Sequence, residues 1–338
     1  MAVYTWYVFT LTVKPIGIVT IVFDLYNRLT ISLHTLYLRV VLSYSNYIWG
    51  PMMTEKDSTD EQNVNTESLQ YRIKSMMMKK SDFPIRFLKG KKGLILGIAN
   101  ERSIAYGCAE VLHVLGAELA VTFAREKSEP YVKPLAEQLE SPIFMMCNVE
   151  IPGQLEAVFE RVSQVWGKLD FVLHSIAYAP KEAMHARVTD CPQEGFMQAM
   201  TISCYSLIHT VRLAEPLMED GGSILTVTSY GSEKVITNYS ITGPVKAALE
   251  SCVRYMAAEL GPKMIRVNSL SPGPISTRAA SGIDHFDALM QRAVELAPEH
   301  QLVSIEDVGA FAAFLVADAA KSITGGVHYI DGGYHIVA

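Results

Sequence analysis

Residues 93–105, with the sequence GLILGIANERSIA, contain the pattern that decides the fold. A short apolar run ends at Gly97, and a segment with helical periodicity begins near Ser103. Glycine permits a tight turn, and the N-terminus of a helix offers N–H groups and a positive dipole end to a phosphate. The stretch therefore predicts a strand, a candidate phosphate-binding turn and a helix, although the same turn also joins strands and helices that bind nothing.

The same alternation of short apolar runs and helical segments continues to the C-terminus, which is typical of βαβ units and a parallel sheet. Strands are predicted at residues 93–97, 118–123, 142–147, 169–175, 223–229, 264–270 and 327–330. Helical periodicity is found at residues 103–115, 153–166, 244–260 and 305–317. We therefore predict a single doubly wound (Rossmann) α/β domain at residues 84–338, with a seven-stranded, mostly parallel sheet whose ligands bind beyond the carboxyl ends of the strands.

The segment before this domain differs from it in composition. Residues 1–50 form an apolar extension, but charged residues interrupt it before the roughly 18 apolar residues of a membrane span are reached. We therefore predict no membrane span. Residues 51–83 are polar and mixed in charge, which predicts a linker. Methionines within residues 52–78 leave open whether residues 1–83 belong to the mature protein.

Composition restricts the class of protein further. Of the 338 residues, 49% are apolar and 19% are charged, which indicates a globular core and excludes a disordered chain. The net charge of -6 supplies no global positive field for nucleic acid. The five cysteines are widely spaced and form no metal-ligand pattern, so we expect reduced thiols, a cytoplasmic location and no metal site.

Residues that follow the predicted strands are candidates for a dinucleotide site. No acid follows the second strand, where Arg125 either faces a ribose 2′-phosphate or is solvated. Asn148 and Val149 follow the third strand, where they either hold an adenine ring or form a turn in which Asn148 satisfies its own backbone. Small residues after the fourth strand would let a cofactor lie across the sheet, whereas His174 is more typical of a core histidine.

Two tyrosine–lysine pairs follow the fifth strand. Tyr230 and Lys234 have a spacing that suits one helical face, but Gly231 lies between them and makes a helix there improbable. Tyr239 and Lys246 precede or begin an apolar-periodic helix and lie seven residues, nearly two turns, apart. A lysine ammonium near a phenol favours its ionised form and suits the stabilisation of an oxyanion. The alternative is a surface tyrosine beside a solvated lysine.

Taken together, residues 87–337 resemble the enoyl-acyl-carrier-protein reductases of bacterial type II fatty-acid synthesis, a divergent branch of the short-chain dehydrogenase/reductases. The landmarks, in chain order, are Gly97-Ile98-Ala99, Ser103-Ile104-Ala105-Tyr106-Gly107, His174-Ser175-Ile176-Ala177, Asn238-Tyr239 with Lys246, Val253-Arg254-Tyr255-Met256-Ala257, Ile265-Arg266-Val267-Asn268, Gly273-Pro274-Ile275, Ala279-Ala280-Ser281-Gly282-Ile283 and Tyr329-Ile330-Asp331-Gly332-Gly333.

The resemblance implies reduction of trans-2-enoyl-acyl-carrier-protein thioesters to saturated thioesters, the last step of the elongation cycle, in a cytoplasmic homotetramer. NADH is the expected cofactor and NADPH the alternative. Tyr239 would hydrogen-bond or protonate the thioester oxygen, Lys246 would hold the nicotinamide ribose, and residues 277–290 would form a mobile substrate loop. The cofactor-binding residues that the resemblance implies are Gly97, Ala99, Ser103, Ile104, Asn148, Val149, Ile176, Lys246, Gly273, Ile275 and Thr277.

The sequence also departs from the family's pattern. The family's tyrosine ten residues before the catalytic one is Ser229 here, and Tyr230, one residue later, is a third catalytic candidate only if the backbone bends. Ala124 stands where NADH-using members commonly have glutamine. Arg278 in the substrate loop and Pro244 are also unusual. These departures leave two alternatives: a ketone or alcohol dehydrogenase of the same fold, or a dinucleotide-binding protein with impaired catalysis.

Overall fold

The computed structural model describes residues 7–13, 17–23, 86–277 and 286–337. Contacts divide the chain into two units, residues 1–69 and residues 70–338. In the first unit, strands β1 (Tyr7–Val13) and β2 (Gly17–Phe23) form an antiparallel hairpin. The predicted linker at residues 51–83 and residues 278–285 of the predicted substrate loop lie outside the described residues.

The second unit is built on a seven-stranded sheet in which every neighbouring pair of strands is parallel. The strand order is β5-β4-β3-β6-β7-β8-β9. The doubly wound fold and the number of strands are thereby confirmed, and the sheet is parallel throughout. The strands are β3 (Lys92–Leu96), β4 (Glu118–Phe123), β5 (Ile143–Met146), β6 (Phe171–His174), β7 (Gly222–Val227), β8 (Ile265–Pro272) and β9 (Val327–Ile330).

Hydrophobic cores cover both faces of this sheet. Alternate residues of a strand point to opposite faces, and in β3 the side chain of Ile95 joins one core whereas Leu94 and Leu96 join the other. All three side chains are inaccessible to solvent. The nearly continuous apolar strands read from the sequence follow from this two-sided burial.

The helices cover the sheet, and the four predicted from periodicity are found within two residues of their predicted ends. None of the helices within the described ranges combines the length and the hydropathy needed to cross a membrane. The helices are α1 (Ile104–Val114), α2 (Glu129–Gln138), α3 (Gln154–Trp166), α4 (Lys181–His185), α5 (Gln193–Met200), α6 (Ser206–Ala214), α7 (Thr242–Leu260), α8 (Phe286–Leu296), α9 (Ile305–Val316) and α10 (Tyr334–Val337), with a π-helical turn at Thr201–Tyr205 and a 3-10 turn at Tyr230–Ser232.

The strand order reverses direction between β3 and β6, which are neighbours in the sheet although they are far apart in sequence. The connections that leave these two strands run to opposite faces of the sheet, and in doubly wound folds ligands bind at the carboxyl edge where this reversal occurs. The fold therefore places the loops after β3 and β6 at the centre of any ligand site.

Candidate active site

The loop after β3 passes very close to the loop after β6. Gly97 has φ +110°, and a Cβ added at Gly97 would overlap the carbonyl oxygen of Ser175. Only glycine fits this conformation and this contact without strain. The missing side chain at Gly97 therefore lets the loop after β3 lie directly against the loop after β6.

Ser103 fixes the rest of this loop. Its buried hydroxyl accepts hydrogen bonds from the backbone N–H groups of Ala99 at 3.0 Å and Asn100 at 3.1 Å, and α1 begins at the next residue, Ile104. Ser103 occupies the N-cap position, but its side chain makes no capping hydrogen bond to α1. The hydroxyl is used by the preceding loop, which leaves the helix N-terminus to other partners.

On the other side of β3, the loops after β4 and β5 contain the predicted adenosine side of the site. Asn148 accepts a hydrogen bond from the backbone N–H of Glu150 through Oδ1 at 3.0 Å, so its amide serves its own turn. Val149 is partly buried against the core. The exposed Arg125 places its guanidinium over the ring of Tyr178, 5.9 Å from the ring centroid, a cation–π contact that links the ends of β4 and β6.

Hydrogen bonds to Ser203 hold the loop after β6 in place. The Ser203 hydroxyl accepts from the Tyr178 backbone N–H at 2.9 Å and donates to the Tyr178 carbonyl at 3.0 Å, and Ile176 packs against the core. His174 is fully buried, with its ring nitrogens 3.1 Å from Thr226 Oγ1 and 2.8 Å from Ser206 Oγ. Burial lowers the pKa of His174 to about 3, so it is a neutral core histidine at physiological pH.

The remaining predicted cofactor residues follow β8. The Gly273 backbone N–H donates to the Ile330 carbonyl at 2.8 Å, which ties the end of β8 to β9. Ile275 packs against the core, and the Thr277 backbone N–H donates to the Ile275 carbonyl at 2.8 Å. This segment leads directly into the residues that lie outside the described ranges.

Tyr239 lies in the loop between β7 and α7, with its side chain half-buried. The residues on either side, Asn238 and Ser240, have φ values of +63° and +38°, and Ser240 Oγ donates to the Ala186 carbonyl at 2.7 Å. A Cβ at Gly231 would come within 2.6 Å of the Tyr239 ring, so the ring lies against that backbone. The fold therefore holds this phenol in one place.

The Tyr239 hydroxyl accepts a hydrogen bond from Ser229 Oγ at 2.8 Å. Burial raises the pKa of the Tyr239 phenol, the Ser229 hydrogen bond opposes this rise, and the carboxylate of Glu250 adds to it. The sequence predicted that a lysine would favour the ionised phenol. The group that does so in this structure is Ser229.

Lys246 is buried in the first turns of α7, and its Nζ donates to the Val227 carbonyl at 2.6 Å. Burial lowers the pKa of Lys246 to about 8, and the Glu250 carboxylate partly opposes this shift. The alternative of a solvated lysine is therefore wrong. The helix begins at Thr242, so the argument from two helical turns does not apply to Tyr239, which precedes it.

Glu250 is a polar residue of this region that sequence reasoning missed. Its side chain is buried, and its Oε1 accepts a hydrogen bond from Thr228 Oγ1 at 2.5 Å. The available signal was a single acid on the apolar face of the helix, four residues after Lys246, where side chains lie on the same face. Glu250 is thus placed to balance the charge of the buried lysine.

Tyr230 belongs to a cluster of aromatic side chains. Its buried ring packs edge-on against Tyr329 and Tyr334, with ring centroids 6.4 and 6.0 Å apart. Ser229 has extended backbone angles, and the 3-10 turn begins only at Tyr230. The backbone therefore directs Ser229 to the phenol and Tyr230 into the aromatic cluster.

Comparisons with known proteins agree with this geometry. A sequence model of the family described as "Enoyl-(Acyl carrier protein) reductase" matches residues 97–335. The protein named enoyl-(acyl-carrier-protein) reductase (NADH) 1 of Rhizobium meliloti (strain 1021) is 44% identical over 250 residues, which cover 74% of this chain and 92% of that protein.

Two solved structures have the same fold. The crystal structure of the Anaplasma phagocytophilum enoyl-(acyl-carrier-protein) reductase in complex with NAD is 40% identical, with a TM-score of 0.72 and coverage of 75% of this chain and 96% of that one. The Bacillus cereus enoyl-acyl carrier protein reductase with NADP+ and indole naphthyridinone is also 40% identical, with a TM-score of 0.73 and coverage of 75% and 99%. The chain therefore belongs to the enoyl-(acyl carrier protein) reductase family.

Proposed function

We propose that this chain reduces trans-2-enoyl-acyl-carrier-protein thioesters to saturated thioesters with NADH, the last step of the fatty-acid elongation cycle. One observation carries the proposal: a half-buried phenol, Tyr239, and a buried lysine, Lys246, lie beyond the carboxyl end of β7 in a chain that is 44% identical to a named NADH reductase. A phenol and an ammonium group suit a reaction in which negative charge develops on a carbonyl oxygen.

The loop after β3 fits a dinucleotide. The tight turn at Gly97 leads to the N-terminus of α1 at Ile104, which suits a pyrophosphate because free N–H groups and the helix dipole attract an anion there. We place Ala99 and Ser103 beside the pyrophosphate, and Asn148 and Val149 beside the adenine. The residues proposed for the nicotinamide side are Ile176, Gly273, Ile275 and Thr277. Bound NADH supplies the hydride that adds to the β-carbon of the enoyl group.

Tyr239 donates its phenolic hydrogen bond to the thioester oxygen, where charge accumulates as the hydride arrives. Lys246 would hold the nicotinamide ribose and would supply a positive charge to it. With a pKa of about 8, its ammonium form predominates at neutral pH. Because the Tyr230 ring packs against the rings of Tyr329 and Tyr334, we assign it no chemical step.

NADH is the proposed cofactor because the relative from Rhizobium meliloti is named for it. Arg125 adds a specific reason to test NADPH as well, since an arginine at this strand end can pair with a ribose 2′-phosphate. Arg125 is exposed, and its guanidinium lies over the ring of Tyr178.

The proposed partners are acyl carrier protein, which carries the substrate, and three further copies of this chain, in the cytoplasm. Tyr205 and Tyr255 are 52% and 71% exposed, and Ile208 is exposed nearby in sequence. Cys204 and Cys252, whose Sγ atoms lie 3.8 Å apart, bring the two segments together. Exposed apolar side chains that lie together are typical of an interface, and light scattering of the purified chain tests for a tetramer.

The function is tested with the full chain, a medium-chain trans-2-enoyl thioester of acyl carrier protein, and each cofactor in turn. We expect absorbance of the reduced nicotinamide to decay with NADH, and formation of the saturated thioester in equal amount. A ketone is the comparison substrate. Faster turnover of the ketone would favour the alternative of a ketone or alcohol dehydrogenase. Cofactor binding without any turnover would favour the alternative of a dinucleotide-binding protein with impaired catalysis.

A further inference from the structure

Ser229 lies in the loop after β7 and contacts the proposed catalytic phenol, Tyr239. It follows β7 by two residues and has extended backbone angles, φ -154° and ψ 157°. Its Oγ donates to the Tyr239 hydroxyl at 2.8 Å. The contact joins the end of a central strand to a residue ten positions later, directly at the atom proposed to donate to substrate.

Both partners of this hydrogen bond are fixed by their backbones. The Ser229 carbonyl accepts from the Ser232 N–H at 3.0 Å, and the Tyr239 carbonyl accepts from the Thr242 N–H at 3.0 Å. Gly231 lies against one face of the Tyr239 ring, where even a Cβ would leave only 2.6 Å. Neither side chain therefore depends on the other for its general position, and the hydrogen bond sets the direction of the phenol O–H.

The hydrogen-bonding capacity of the Tyr239 phenol determines what the Ser229 contact does. A phenol has one O–H donor, and its oxygen also accepts hydrogen bonds. When Ser229 donates to that oxygen, the phenol's own hydrogen is left for another acceptor. The same donation stabilises the phenolate, which opposes the effects of burial and of Glu250 on the Tyr239 pKa.

We propose that Ser229 is a positioning residue for the reduction: it orients the Tyr239 hydroxyl toward the substrate oxygen and stabilises the charge on the phenol oxygen as that hydroxyl transfers its proton to the negatively charged thioester oxygen. This inference rests on the proposed function. It assigns a role to Ser229, which stands at the position where the family has a tyrosine.

The experiment compares Ser229→Ala, Ser229→Thr and Ser232→Ala in the full chain. Ser232 is the matched control because it lies in the same turn and its buried hydroxyl has no hydrogen-bond partner among the described residues. Loss of one hydrogen bond between neutral groups lowers kcat by up to about tenfold. We expect that loss in Ser229→Ala with an unchanged KM for NADH, recovery in Ser229→Thr, and wild-type kcat in Ser232→Ala.

A second arm asks whether Ser229 acts through Tyr239. Ser229→Ala is combined with Tyr239→Phe, and single turnovers are measured with enzyme in excess. If the effect passes through the phenol oxygen, Ser229→Ala causes no further loss in the Tyr239→Phe background. An equal loss in both backgrounds, or a Ser229→Ala enzyme that matches Ser232→Ala, overturns the inference alone. A wild-type chain that turns over no enoyl thioester overturns the proposed function as well.

Discussion

The loop after β3, residues 97–103, and the loop after β7, residues 228–241, both use a serine hydroxyl, but they use it differently. Ser103 accepts from two backbone N–H groups, so the first loop is closed on itself. Ser229 donates to the side chain of Tyr239, so the second loop connects two side chains. The serine of the first loop thus fixes backbone, and the serine of the second loop orients a phenol.

The largest effect is expected from Tyr239→Phe, which removes the phenol of the second loop. Loss of a proton donor to a developing oxyanion lowers kcat by about 100-fold or more. Steady-state kinetics with an enoyl thioester measure the loss, and circular dichroism checks the fold. Tyr230→Phe is the control. An equally large loss of kcat in that variant would contradict the assignment of Tyr239 as the proton donor.

In the first loop, Gly97→Ala is expected to act on binding. The added Cβ would overlap the Ser175 carbonyl, and the φ of +110° is unfavourable for alanine, at a cost of more than about 1 kcal/mol of stability. We expect a KM for NADH at least about tenfold higher, which corresponds to about 1.4 kcal/mol of binding. Thermal unfolding and NADH titration measure the two effects. Unchanged binding would show that this backbone does not contact the cofactor.

The pH dependence of activity tests the charge of Lys246, which lies in α7 directly after the second loop. Its pKa is lowered to about 8 by burial, so the positive charge is present below pH 8 and is lost as pH rises through that value. One pH unit above this pKa, about a tenth of the lysines are protonated and kcat/KM falls by about tenfold. Lys246→Arg keeps its charge, so its profile is expected to stay flat there even if its maximal rate is lower. An identical alkaline fall in both enzymes would assign the titration to another group.

The smallest effect is expected from Ser103→Ala. Two backbone N–H groups of the first loop lose their acceptor, which costs about 1 kcal/mol and raises the KM for NADH about fivefold. Ser304→Ala is the matched control, because Ser304 caps its own helix, α9, by accepting from the Asp307 N–H at 3.1 Å. That variant is expected to lose stability with an unchanged KM. Equal KM values in the two variants would contradict a special role for the first loop.

Much of the fold is predictable because its signals are local. The apolar run that becomes β3 is buried on both faces, and residues such as Leu94 and Ile95 therefore leave a continuous pattern that any reader of the sequence finds. Helix ends agree within two residues for the same reason. The site was less predictable: its residues were named from the resemblance, whereas their contacts depend on which side chains meet across the sheet.

The sequence by itself determined the doubly wound domain, the order of its strand-end motifs and the family, because periodicity and motif spacing are properties of one stretch of chain at a time. Only the tertiary structure decided that Ser229 faces Tyr239 while Tyr230 is buried among aromatic rings, and that Lys246 is buried with Glu250 four residues later. These contacts join segments from different strands and helices. Their hydrogen bonds and desolvation depend on where the folded backbone directs each side chain, which residue spacing alone does not specify.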